Sequence, residues 1–92
     1  MGFIETFGYG TAVMAADAAL KAATVSILRI ENTIGSGGSL GVTIFLQGEV
    51  AAVKAAIEAG TGAAEEVGTV VACNVIPNLD NKVRQGMYHN MI

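Results

Sequence analysis

The most regular alternation of apolar and polar residues runs from Leu40 to Gln47. Leu40, Val42, Ile44 and Leu46 fall on one side at a spacing of two, which predicts a strand with one buried face. A shorter strand is predicted over 2–7, and Gly8-Tyr9-Gly10 breaks it before Thr11, a residue suited to capping a helix N-terminus. The alanine-rich stretch 12–23, with Met14 and Leu20, then predicts a helix, and Asp17 and Lys21 lie four apart on one of its faces. Residues 24–31 are rich in β-branched side chains and predict a second strand.

Helical spacing returns after the Leu40 strand. Val50, Val53 and Ile57 share a face, Lys54 and Glu58 form a pair on another side, and Glu49 stands where the positive end of the helix dipole stabilises a carboxylate. Gly60 marks the expected end of this helix, with a short helical piece over 63–67 before Gly68. A last strand over 69–76 is closed by Pro77. The order βαββαβ, with short connections and right-handed crossovers, predicts an α+β ferredoxin-like fold: an antiparallel sheet with both helices on one face. The domain then covers 1–77. In the tail, 78–92, Leu79, Val83, Met87 and Met91 recur every four residues, so an amphipathic tail helix is expected, packed on its own subunit, on a neighbour, or on another protein.

Composition narrows the function classes. At 92 residues the chain is one domain that buries roughly 60 to 65% of its unfolded surface, so it gains from partners. Apolar residues reach 52%, but alanine and valine dominate and only 5% are aromatic, which suits close helix packing and flat protein contacts better than a deep ligand pocket. The net charge is -3 and the five Lys and Arg are scattered, so no basic stripe exists to follow nucleic-acid phosphates. Glu5, Asp17, Lys21, Arg29 and Glu31 interrupt the first third before any apolar run reaches membrane-spanning length, and the first residues lack the basic and apolar regions of a secretory signal. A soluble, cytoplasmic protein is expected.

Little in the chain invites catalysis. Gly35-Ser36-Gly37-Gly38-Ser39 could suggest an anion cradle, but it lacks the Gly-Lys-Ser/Thr ending of a phosphate loop and joins two strands instead of entering a helix. The lone Cys73 can neither form an internal disulfide nor hold a metal by itself, and it reads as a small core residue. His89 has no ligand or triad partner at a meaningful spacing. Glu49, Glu58, Glu65 and Glu66 read as helix-end and surface charges. The expectation is a protein that is not an enzyme and has no metal site and no cofactor; a small-molecule-binding regulatory module on the same fold is the alternative.

The order of elements and several segments resemble the bacterial microcompartment (BMC) shell proteins of the single-domain, hexamer-forming kind. The resemblance runs from Gly2 to about Pro77. It is carried by Gly2-Phe3-Ile4-Glu5-Thr6, by Ala15-Ala16-Asp17-Ala18-Ala19-Leu20-Lys21-Ala22-Ala23, by Ile34-Gly35-Ser36-Gly37, by Val53-Lys54-Ala55-Ala56-Ile57-Glu58-Ala59-Gly60 and by Val75-Ile76-Pro77. It implies a homo-hexameric tile that packs with other shell proteins around enclosed enzymes, located in the cytoplasm at the microcompartment shell. It also implies a central pore for small polar metabolites, lined by Gly35, Ser36, Gly37, Gly38 and Ser39, with Ser36 at the family's pore serine. Small residues keep such an opening wide, and backbone N–H groups and hydroxyls offer hydrogen bonds to a polar solute.

Two departures from the family pattern matter. The family loop commonly reads Lys-Ile-Gly-Ser-Gly-Leu, whereas this chain reads Thr33-Ile34-Gly35-Ser36-Gly37-Gly38-Ser39-Leu40, which lengthens the loop by Gly38 and Ser39 and removes a lysine. The aperture's size and charge preference are therefore this chain's own. At the hexamer edge, Lys21 matches a family lysine that lies against its symmetry mate in the next tile. Asn78 replaces the arginine that often follows the final Ile-Pro, exchanging a guanidinium fork for a neutral amide at the second expected edge contact.

Overall fold

The computed structural model describes residues 1–34 and 40–76. Six elements follow one another: β1 (Gly2–Phe7), α1 (Tyr9–Ala22), β2 (Ser26–Ile34), β3 (Leu40–Gln47), α2 (Val50–Glu65) and β4 (Val70–Val75). The strands form one antiparallel sheet in the order β2-β3-β1-β4. This is the α+β, ferredoxin-like order expected from the sequence.

Alternation explains which side of the sheet the helices cover. Val42, Ile44 and Leu46 of β3 and Ile4 and Thr6 of β1 are buried on one face, against Ala12, Ala15 and Ala19 of α1 and Val53, Ala56, Ile57 and Ala64 of α2. Alanine at so many contact positions brings the two helices close to each other and to the sheet, so this small core is dense without large side chains. Thr6 is the one fully buried polar residue in it among those described, and its Oγ1 lies within hydrogen-bond distance of the backbone oxygens of Gly8 (3.3 Å) and Val42 (3.5 Å).

Several boundaries differ from the pattern-based expectation. α1 starts at Tyr9, not after a Thr11 cap; Gly8 is the N-cap, at φ 81°, with no side-chain cap bond. Glycine adopts that conformation without the Cβ clash that other residues meet. Thr11 lies within the first turn, buried against Gly68, where a Cβ would come within 2.1 Å of its Oγ1. The second strand occupies Ser26–Ile34 instead of 24–31, because its pairing with β3 persists to Ile34 opposite Leu40.

Gly60 does not end the second helix. α2 continues to Glu65 and takes up most of the piece expected over 63–67. A Cβ on Gly60 would stand 2.8 Å from both the Ala15 carbonyl oxygen and the Ile4 Cδ1, so its missing side chain serves close approach of α2 to α1 and β1. Lys54 and Glu58 are exposed and form no ion pair; the pairs among the described residues are Lys21–Asp17 and Arg29–Glu31. Cys73, expected in the core, is exposed: its register partner Ile4 is buried, but β4 is a sheet edge that the helices leave partly uncovered.

Candidate assembly surfaces

The sheet ends in two edge strands, and the β2 edge carries more of the large exposed apolar side chains: Ile27, Leu28, Ile30 and Ile34, against Val71 in β4. All nine residues of β2 are exposed. Ile30 pairs with the buried Ile44 and so points to the helix side, yet α1 does not cover it. The result is a shallow apolar groove of about 80 Å³ between α1 and β2, lined by Tyr9, Val13, Ala16, Ile30, Val42 and Ile44. An Asn32 amide N–H donates to the Tyr9 hydroxyl, tying the start of α1 to the middle of β2. Ile34, at the end of the same strand, is 81% exposed. A row of uncovered apolar side chains beside a free strand edge costs free energy in water and favours burial against another surface.

The groove escaped the sequence pattern for a physical reason. Val13 reads as one more apolar residue in an apolar helix, and Ile30 as one of several in a β-branched strand. Only the register shows that both lie beyond the reach of the second helix. A usable signal was present in the spacing of Tyr9 and Val13, which puts both on one face of an alanine-rich helix.

Among the sequence-derived site residues, Lys21 is described. It sits in the last turn of α1, where its Nζ donates to Asp17 Oδ2 at 3.0 Å, and both side chains are largely in solvent. Within one chain this is a surface helix pair worth about 0.3–0.5 kcal/mol, which leaves most of the ammonium free for an external acceptor. Gly35, Ser36, Gly37, Gly38, Ser39 and Asn78 lie outside the described residues, as does the expected tail helix. The flanking positions are well placed: Ile34 and Leu40 are register partners, so the segment 35–39 joins the two strands at the end of the hairpin. Gly41, next to it, is packed so tightly that a Cβ would stand 2.7 Å from Thr33 Oγ1.

The face of the sheet away from the helices carries its own row. Asn74, Phe3, Phe45 and Arg29 are aligned across all four strands. The Phe3 and Phe45 rings are 6.3 Å apart, and the Arg29 guanidinium lies 4.3 Å from the Phe45 ring centre, a cation–π contact. Arg29 Nε also meets Glu31 Oε1 at 3.2 Å. No group of three His, Cys, Asp or Glu side chains converges among the described residues, and no helix among them is long and apolar enough to cross a membrane.

A domain of this order, with exposed flanks and no converging reactive groups, matches the model of the BMC domain over residues 1–79. The chain belongs to the BMC domain family. BMC relatives include the bacterial microcompartment shell protein PduA of Citrobacter freundii, 48% identical over 77 residues that span 84% of this chain and 78% of that protein. The shell protein EutM of Escherichia coli is 42% identical over the same share of this chain and 75% of its own length. The carboxysome assembly protein CcmO of Synechococcus elongatus is 47% identical, but the match takes in 26% of that longer protein. Among solved structures, a microcompartment protein from Desulfitobacterium hafniense superposes with a TM-score of 0.70 and 37% identity, covering 91% of this chain; the chain spans 46% of that one. The BMC fold thus accounts for the whole described sheet and both helices.

Proposed function

We propose that this protein is a structural tile of a bacterial microcompartment shell, without catalytic activity, in which copies of the chain close into a homo-hexameric ring. Relatives named as shell proteins at 42–48% identity support the shell role. The observation that carries ring closure is the uncovered flank of α1 and β2, where Tyr9, Val13 and Ile30 line an open apolar groove and Ile34 stands exposed farther along the same strand. A ring joined along this flank buries Ile34, and the residues directly after Ile34 then lie near the subunit junctions.

In this reading Gly35, Ser36, Gly37, Gly38 and Ser39 from each subunit line a central opening, through which small polar metabolites cross by exchanging water for hydroxyl and backbone N–H groups. Lys21 and Asn78 stand at the outer edge of the tile. Lys21 there donates to backbone carbonyls of an adjacent tile, and other shell proteins complete the lattice around enclosed enzymes in the cytoplasm. The purified protein tests this directly in the electron microscope. Flat sheets or tubes with a regular array of perforated units are expected; a dispersed monomer at every concentration would contradict the tile.

A further inference from the structure

We infer that the joint of the proposed ring is made by two unlike edges, with the exposed β4 side chains Val71 and Cys73 of one subunit seated against Val13 and Ile30 on the α1/β2 flank of the next. This rests on the ring reading above and names the surface that the flank meets. One row of the sheet carries the pairing. Ile30 stands opposite Ile44, Ile44 opposite Ile4, and Ile4 opposite Cys73, and residues paired in this way share a face. The two middle members, Ile44 and Ile4, are buried beneath the helices, whereas Ile30 and Cys73 at the two ends are bare. The apolar layer of the subunit is thus cut open at both edges of the sheet, at the same level along the strands.

Rings of more than two copies are joined head to tail, one patch meeting a different one, and every subunit stands alike about the axis, so patches that touch lie at the same distance from it. With the strands running toward the central opening, as the ring reading has them, Ile30 and Cys73 meet that condition because they end one row. Size fits as well. A cavity of about 150 Å³ holds a benzene ring, so the groove of about 80 Å³ beside Val13 and Ile30 takes a small branched side chain. Val71 is such a side chain, and it is 45% exposed in the single subunit. Both edges are also interrupted, because the pairing shifts by one residue at Leu28 in β2 and at Val71 in β4. Bulges of this kind break the run of free backbone groups that would otherwise extend a sheet, so side chains make the joint and no shared ladder is needed.

Cys73 is the sole cysteine of the chain, so a second one reports what lies against it. The Ile30→Cys protein is oxidised with copper phenanthroline and run on a denaturing gel without reductant. A ladder of linked chains that reaches six and collapses on reduction is expected, since a disulfide forms only between Cα atoms within about 7 Å of each other. The unaltered chain, and an Ile30→Cys protein that also carries Cys73→Ser, are expected to stay as single chains; linked pairs from either would mean that like edges meet, and would overturn the proposal. Single chains from Ile30→Cys whose native mass is still that of six copies would overturn it too, while leaving the ring standing. Val71→Asp gives a second reading. Because Val71 is exposed in the single subunit, this variant is expected to melt cooperatively yet to show the native mass of one chain, and a ring of six from it would overturn the joint. A single-chain native mass for the unaltered protein would overturn the ring and the joint together.

Discussion

Gly60 shows how much a single missing side chain does here. A methyl group at this position would be 2.8 Å from the Ala15 carbonyl oxygen and from Ile4, so Gly60→Ala is expected to destabilise the fold by about 1–3 kcal/mol through overpacking. Intrinsic helix propensity argues the other way, by about 1 kcal/mol in favour of alanine. Gly10 gives the control. It lies near the start of α1 with open space where a Cβ would go, and Gly10→Ala is expected to be neutral or to stabilise by up to about 1 kcal/mol. Urea denaturation midpoints check the pair: opposite signs are expected, and stabilisation by both substitutions would show that Gly60 does not mediate helix contact. In the core, Ile44 is almost fully buried at the centre of β3, so Ile44→Ala is expected to cost about 2–5 kcal/mol in the same measurement.

Among the elements, α1 combines a packing face of alanines with an outer face that ends at Asp17 and Lys21. Lys21→Ala removes only a solvent-exposed helix pair within the subunit, so the thermal midpoint and the native mass are expected to stay nearly unchanged. Extended sheets in the electron microscope are expected to disappear if Lys21 is the proposed edge donor; sheets that persist would remove Lys21 from the lattice contact. Where elements carried a local signal, the sequence made them legible. β1 and β3 were readable because alternation with one buried face is a property of the strand itself, and β3 was bounded correctly at both ends. The end of α2 was misread because glycine ends helices in isolation, whereas here the neighbouring Ala15 and Ile4 demand it. β2 ran longer than its β-branched stretch because pairing with β3, not composition, sets its length. Cys73 was misplaced for a related reason: strand propensity does not say whether a strand lies at the edge of its sheet.

For the whole molecule, the proposed ring rests on the uncovered flank of α1 and β2. Its members could be named from the sequence, but their shared exposure could not, since it depends on α2 packing over β1 and β4 and leaving Ile30 bare. The loop of Gly35, Ser36, Gly37, Gly38 and Ser39 was singled out from its composition and from its likeness to the BMC family, and its anchor points agree with a segment joining two paired strands. Deleting Gly38 and Ser39 is expected to change the solute flux through assembled shells while leaving six chains in the ring; loss of the ring would make the loop a structural contact instead. The central claim, closure of six copies along the apolar flank, is tested most directly by native mass spectrometry of the unaltered chain beside Ile30→Asp. The account expects about 56 kDa for the unaltered protein, six chains of 9.4 kDa, and a folded monomer for the variant. A monomeric unaltered chain, or an Ile30→Asp protein that still closes six-membered rings, would contradict it.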